Sequence, residues 1–384
     1  MNEAVHTTNP ALGVLIFALG GLAGAIFYLP FKRVKDWAWE SYWLVYAVFG
    51  LVLVPWVLAF TTSPNVLAVL KSAPSKELWY CYFCGAAWGV GGLTWGLMIR
   101  YLGVGLGLAI GCGLCSAAGT LVPPIIKPWL TALTSGAELP PLLDGLKNLS
   151  GTPAANASLF GVGVSLLGII LVGMAGMSKE RELPEEKKKK AVAEYNFKLG
   201  ILVAIFSGLT SSALGMGLQG GTTIEQLSQT IQPLTPVAWK GMPVLVVALL
   251  GGFTVNFLWC LFLNMKNKTG GDYTKKGAPI IRNLIFAGLA GAIWCSQFIC
   301  FKTGEPNMGA MSYVGWSVLM AAAIMFSTLL GIFLGEWEGT SKRTQGFLAA
   351  GLLLLLSSAV VAGYSGKLSQ DAPKTTAVEA APRA

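Results

Sequence analysis

The chain has 384 residues, of which 54% are hydrophobic and only 12% charged, with a mean hydropathy of +0.63. Soluble domains carry about 25% charge, so this balance excludes a water-soluble globular protein and leaves most of the chain in lipid. The formal net charge of +9 sits in lysine and arginine clusters between apolar runs, which ties it to orientation in a bilayer rather than to nucleic acid.

Ten apolar windows of spanning length follow one another, bounded by charge, Pro or Gly: residues 10–30, 41–61, 78–99, 103–123, 157–177, 197–219, 237–264, 281–301, 309–335 and 344–364. The first is long and lacks a basic flank before it, so it reads as a retained helix rather than a cleaved signal peptide. The fourth carries Gly103, Gly107, Gly111, Cys115 and Gly119 at a four-residue spacing. That strip of small residues lies on one helix face and admits close approach of another helix backbone. From Gly103 to Val122 the chain holds no charge, a reach of about 30 Å at ~1.5 Å per residue, which is one hydrocarbon thickness.

The outer loop from Lys127 to Asn156 holds two N-x-S sequons, at Asn148 and Asn156, which matter only in a glycosylating pathway. Residues 178–196, SKERELPEEKKKKAVAEYN, are the most charged segment and divide the windows five and five. They read as a solvated cytoplasmic linker held near anionic headgroups. The expected units are therefore 1–177, the linker 178–196, a second unit 197–364, and a tail 365–384 whose Ala, Pro, Lys and Thr predict disorder. Eighteen of the 27 Lys and Arg residues fall in one set of alternate loops, those at 32–35, 100, 179–198, 266–282 and 342–343. The positive-inside rule puts that set in the cytoplasm and both termini outside.

Five windows in each half have a geometric consequence: if the halves are repeats, the second runs through the membrane upside down. Trp95 to Gly103, WGLMIRYLG, is echoed by Ser296 to Gly304, SQFICFKTG. The expected fold is an all-α polytopic membrane protein of ten transmembrane helices in two inverted five-helix repeats, with substrate held at their interface near the midplane.

The two CxxC pairs, Cys81/Cys84 and Cys112/Cys115, lie inside apolar windows, and the one histidine, His6, is in the N-terminal tail, so the cysteines read as small buried residues rather than metal ligands. No P-loop, HExxH or Ser/His/Asp set is present, and the chain is not expected to be an enzyme. The middles of the windows hold almost no charge, which argues against a strongly charged cargo. Charges gather at window ends, at Glu40, Arg100, Lys240, Lys302, Glu305 and Glu336, where a snorkelling or interfacial reading competes with a functional one. Glu40 and Glu336 both flank tryptophans (WAWES and LGEWEG), and a carboxylate against aromatic surface can exchange protons near neutral pH.

Polar residues inside the windows are Tyr28, Thr94, Asn256, Ser296 and Gln297, in the company of Trp88, Trp95, Trp259, Trp294 and Trp316. Amides and hydroxyls between flat rings suit a neutral polyol, with partners for its hydroxyls and faces for its C–H surface; helix–helix hydrogen bonding and packing are the competing roles.

Ala25 to Ser41 (AIFYLPFKRVKDWAWES), the WG, GL-x-x-RYLG and GTL-x-x-PII elements within Gly85 to Ile126, and Trp316 followed by the GEW ending at Trp337 together resemble the L-rhamnose–proton symporter family of the drug/metabolite transporter superfamily. Tyr28, Lys32, Lys35, Trp39, Glu40, Arg100 and Tyr101 match its pattern. The resemblance implies ten spans and uptake of a deoxy-sugar with a proton across a bacterial inner membrane. The resulting expectation is a secondary transporter that imports a neutral sugar, L-rhamnose first, by proton symport and alternating access. Tyr28, Trp95, Asn256, Gln297 and Trp316 would contact the sugar, Glu40 or Glu336 would carry the proton, and Arg100 would be a nearby charge partner. Its partners would be sugar, proton and lipid, with no cofactor, no metal and no nucleic acid. An exporter of drugs or metabolites from the same superfamily, and a structural or sensory membrane protein, are the alternatives.

Overall fold

The computed structural model describes residues 8–182, 196–333, 335 and 337–371, and those residues form helices and short connections. The order is α1 (Pro10–Ile26), α2 (Trp39–Val48), α3 (Val54–Thr62), the short α4 (Val66–Ser72), α5 (Ser75–Ser135), α6 (Pro153–Glu182), α7 (Phe197–Gly220), the short α8 (Thr222–Ser228), α9 (Met242–Asn267), α10 (Ile280–Met308), α11 (Gly315–Phe333) and α12 (Lys342–Asp371). Among the described residues eight helical stretches are long and apolar enough to cross a bilayer. Large apolar side chains such as Val57, Phe83, Phe160, Leu202, Ile281, Phe333 and Val360 point outward, while Ser41, Ser116, Thr120, Ser158, Ser211 and Asn256 are buried. Apolar outside and small or polar inside is the arrangement lipid imposes.

Several local features follow from the sequence. Asn9 starts α1 by accepting a hydrogen bond from the Leu12 N–H, with Pro10 at the first helical position. Pro55 has no N–H to give back to the preceding turn, and residues Phe49–Leu53 there widen into a π-helical turn that joins α2 to α3. A straight helix of 61 residues would extend for about 90 Å, yet in α5 the Lys76 ammonium donates to the Leu133 carbonyl at 3.2 Å. A Cβ on Gly111 would also lie 2.6 Å from the Trp95 ring. The chain therefore doubles back near residue 103, and α5 is two antiparallel arms.

The ten windows become eight stretches for two reasons. α10 and α11 join across the 3-10 segment Gly309–Val314 into a single stretch, 280–333. The first arm of α5 is diluted by Gly, Trp and Tyr, so among the described residues of α5 only Ile110–Leu133 is long and apolar enough to cross. Boundaries also shift. α10 runs to Met308 instead of stopping at 301, because Lys302 and Glu305 are buried rather than at an interface. α6 continues through 178–182 into the expected linker, where Glu182 accepts from the N–H and hydroxyl of Ser341 (both 2.7 Å) and from the Thr344 hydroxyl (2.6 Å), capping α12. Residues 365–371 extend α12 rather than beginning a tail. The rest of the expected linker and tail, 183–195 and 372–384, lies outside the described residues.

In the bundle α1 lies against α10 and α11, α7 against both arms of α5, α6 against α12, and the α2–α3 rod against α9 and α10. The α5–α9 contact is backbone on backbone: a Cβ on Gly85 would sit 1.7 Å from the Ala248 carbonyl oxygen, and one on Gly251 would sit 1.9 Å from that of Tyr82. Only glycine permits these two approaches.

Candidate functional site

The buried centre is a wall of aromatic rings contributed by helices from both halves of the chain. Trp88 of α5 stacks on Trp294 of α10 at 4.9 Å between centroids, with Phe298 4.7 Å and Tyr46 6.0 Å from Trp294. Phe298 and Phe301 carry the wall on to Trp316 at 6.1 and 5.5 Å. Offset and edge-on contacts of this kind favour a fixed geometry beyond simple burial.

Two amides meet this wall in different ways. Asn256 is engaged at both ends: its oxygen accepts from the Trp43 indole N–H at 2.9 Å, and its nitrogen donates to the Gly252 carbonyl at 2.9 Å. Gln297 is 5% exposed and its amide has no hydrogen-bond partner among the described residues. It lies against α1, its oxygen 2.7 Å from where a Cβ on Gly24 would stand, one turn beyond Trp294. Its amide thus keeps open donor and acceptor capacity and is not among the fully enclosed unpartnered atoms, which are those of Trp37, Thr120, Ser165 and Tyr313 among the described residues.

The other expected sugar contacts are dispersed. Trp316 is 1% exposed, gives its indole N–H to the Cys115 carbonyl at 3.2 Å, and is clamped between glycines. A Cβ on Gly119 or Gly215 would come within 2.3 or 2.7 Å of its ring. The small-residue strip of the fourth window thus receives indole rings as well as backbone. Trp95 sits in the seam between α5 and α7, donating to the Ser211 hydroxyl at 3.0 Å, in a cluster with Met98, Leu102 and Ala204 that is separate from the central wall. Tyr28 is 56% exposed in the turn after α1, against Phe27 and Phe31.

Buried charge is concentrated at the two ends of α9, about 39 Å apart for 26 residues at ~1.5 Å each. At the C-terminal end Glu40 accepts from the Asn267 amide at 2.9 Å and the Thr269 hydroxyl at 2.8 Å. Beside it Asp272 accepts from the Ala38 N–H at 2.7 Å and the Ser41 hydroxyl at 2.8 Å. This clasp holds the start of α2 to the end of α9 with neutral donors. Arg100 belongs to α5, but its side chain lies outside the described residues, as does Glu336 entirely.

At the N-terminal end of α9 the clasp is ionic. The Lys302 ammonium, fully enclosed, gives its three protons to the Glu225 carboxylate, the Glu305 carboxylate and, at 2.9 Å, the Leu218 carbonyl. Lys240 reaches the other Glu225 oxygen at 3.1 Å. Glu77, 4% exposed on the first arm of α5, accepts from the Ile224 N–H at 2.9 Å, next to Glu225. Reading lysines at window ends as snorkelling residues missed this network, and Glu225 and Glu77 were not singled out at all. One signal was available: Lys302 and Glu305 stand three apart on one face of a helix continued past its expected end, which is not how two solvated charges need to be placed. The partner, Glu225, is 77 residues away in the chain and carries no local sign of it.

Curated relatives cover nearly the whole chain. The L-rhamnose-proton symporter of Yersinia pestis (strain Pestoides F) is 26% identical over 367 residues, spanning 94% of this chain and 98% of the relative. That of Klebsiella pneumoniae (strain 342) is 28% identical over 371 residues with the same coverage. The family model described as L-rhamnose-proton symport protein (RhaT) matches residues 6–367. An all-helical, apolar bundle matched over this length belongs to the L-rhamnose-proton symport protein (RhaT) family, a family of multi-pass membrane transporters rather than of enzymes.

Proposed function

We propose that the protein imports L-rhamnose or a closely related neutral sugar together with a proton across a bacterial inner membrane, using two inverted five-helix repeats that alternate access to a central site. The observation that carries the reading is Gln297, a largely buried residue whose amide has no partner among the described residues, beside the Trp88–Trp294 wall in a chain matched from residue 6 to residue 367 by one symporter family. A deoxy-hexose presents hydroxyls on its edge and C–H surface on its face, which is what an amide beside indole rings recognises. Tyr46, Trp88 and Trp294 form the face-binding part of the site, and the Trp43–Asn256 pair forms its neutral floor.

Several contacts support the repeat. The echoed segments 95–103 and 296–304 are offset by 201 positions. The same separation of 201 relates the Trp316 indole to the Cys115 carbonyl, and the Ser116 hydroxyl to that of Ser317, 3.5 Å apart. A residue touches its own counterpart only on a two-fold axis. Packing follows suit, since α1 on α10 and α11 corresponds to α7 on the two arms of α5. Counting the arms of α5 separately, and α10 apart from α11, gives the ten spans of this reading.

The test is uptake of labelled L-rhamnose into proteoliposomes of the purified protein with and without an imposed pH gradient. Accumulation above the outside concentration only with the gradient is the expected result. Equilibration that ignores the gradient would remove the proton from the reading, and no saturable uptake would remove the sugar.

A further inference from the structure

The ionic clasp at the N-terminal end of α9 contains three carboxylates and two ammonium groups: Glu77, Glu225 and Glu305 against Lys240 and Lys302. With all five ionised the cluster holds one negative charge in excess in a poorly solvated interior, where an uncompensated charge is costly. One proton makes it neutral. The three carboxylates are not equivalent receivers of that proton. Glu225 has a lysine on each oxygen. Glu77 accepts a backbone N–H at 2.9 Å, which offsets part of the cost of burying its charge. Glu305, 8% exposed, has a single partner among the described residues, and that partner is Lys302, whose other two protons are engaged by Glu225 and the Leu218 carbonyl.

From this geometry we infer that Glu305 is the proton-binding site of the transporter, with Lys302 as the positioning residue that passes between its two carboxylate partners. The inference deepens the proton-symport reading and rests on it. A proton arriving from the end of the bundle that the Lys/Arg distribution assigns to the outside adds to a Glu305 oxygen; no bond is broken, and Lys302 keeps its proton and its Glu225 partner. Loss of the Glu305 charge weakens one of the three contacts that anchor Lys302 between α10, α8 and the end of α7. Proton occupancy is thereby coupled to how firmly this end of the bundle is closed. The other groups facing the cluster are few. Cys81 of α5 gives its thiol proton to the Gly217 carbonyl at 3.3 Å, α1 and α3, which also pack on α10, carry no titratable side chain, and the carboxylate of α2, Glu40, is engaged at the opposite end of α9.

The experiment uses the full chain. Infrared difference spectra of the purified protein between acid and alkaline pH are expected to show the C=O band of a protonated carboxyl, absent from Glu305→Gln, present in Glu77→Gln and displaced in Glu305→Asp. In proteoliposomes Glu305→Gln is expected to lose gradient-driven accumulation of labelled L-rhamnose, and Glu305→Asp to recover part of it. No carboxyl band in the wild type, a band unchanged in Glu305→Gln, or undiminished accumulation by that variant each overturns the assignment. Should Glu305→Gln not fold, the Glu305→Asp spectrum decides, a displaced band supporting the site and an unmoved band overturning it. If the wild type takes up no L-rhamnose while the band behaves as expected, the substrate reading fails and the proton site stands.

Discussion

Replacing Lys302 by Met removes the ammonium that Glu225 and Glu305 share. The side chain is fully enclosed and its ammonium satisfies two carboxylates and the Leu218 carbonyl. After the change Glu225 still has Lys240 at 3.1 Å, but Glu305 has nothing. Breaking a buried ion pair from one side costs about 3–5 kcal/mol, because a charge is left in the interior without compensation. The protein has one way to reduce that cost, which is to take up a proton at the stranded carboxylate. The folded variant then binds a proton that the unfolded chain does not hold at the same pH, so its stability rises as pH falls. Lys302→Met should therefore show a lower thermal midpoint than the wild type in detergent, and the gap should narrow toward acid pH. The triple variant Lys302→Met, Glu225→Gln, Glu305→Gln, which removes the Lys302 charge together with the two carboxylates it joins and leaves Lys240, 31% exposed, to solvent, should recover most of the loss, since neutral replacements of a buried ion set are often tolerated. A single variant as stable as the wild type at neutral pH, or a triple variant less stable than the single, would refute the view that this cluster is a dry ionic clasp.

Three further outcomes follow from the packing and from the central wall. Gly85→Ala should cost about 1–3 kcal/mol of stability, read as a lowered melting midpoint, because the new methyl meets the Ala248 carbonyl at 1.7 Å and both partners are backbone. The pair Ser116→Cys and Ser317→Cys, whose hydroxyls are 3.5 Å apart, should form an intramolecular disulfide on mild oxidation, visible as a reducible change in gel mobility, and should slow sugar exchange if α5 and α11 move past each other during transport. Gln297→Ala should weaken L-rhamnose binding by about 2- to 10-fold, the worth of one neutral hydrogen bond, with expression and melting midpoint unchanged. Unchanged affinity would take Gln297 out of the site.

The helical bundle was legible in the sequence because lipid leaves so little freedom: every crossing segment must be long, apolar and self-satisfied in its backbone hydrogen bonds. The windows at 157–177 and 344–364 fall within α6 and α12 for that reason. What hydropathy could not give was the end of α10, because it treats Lys302 and Glu305 as if water were their only partner. The two bond each other, and the further carboxylate on Lys302, Glu225, arrives from α8, a seven-residue helix in a connection that no spanning-length window detects. Residue type was also a poor guide to role among the tryptophans. Trp294 and Trp316 look alike as aromatic residues in apolar runs, but Trp316 is wedged between Gly119 and Gly215, contacts that depend on chain segments 100 to 200 positions away. Gln297 was identifiable from its type and setting, whereas its lack of a partner is a property of the folded chain alone.

The stacked pair Trp88 and Trp294 gives the molecule an optical readout of its own. Two indoles held 4.9 Å apart at 29° have electronic transitions that mix, and the resulting near-ultraviolet dichroism depends steeply on their separation and tilt. Because one ring rides on α5 and the other on α10, any rearrangement that slides those helices alters the signal. Cargo- or acid-induced change in shape can thus be followed in an unlabelled preparation, with Trp88→Phe as the spectroscopic blank.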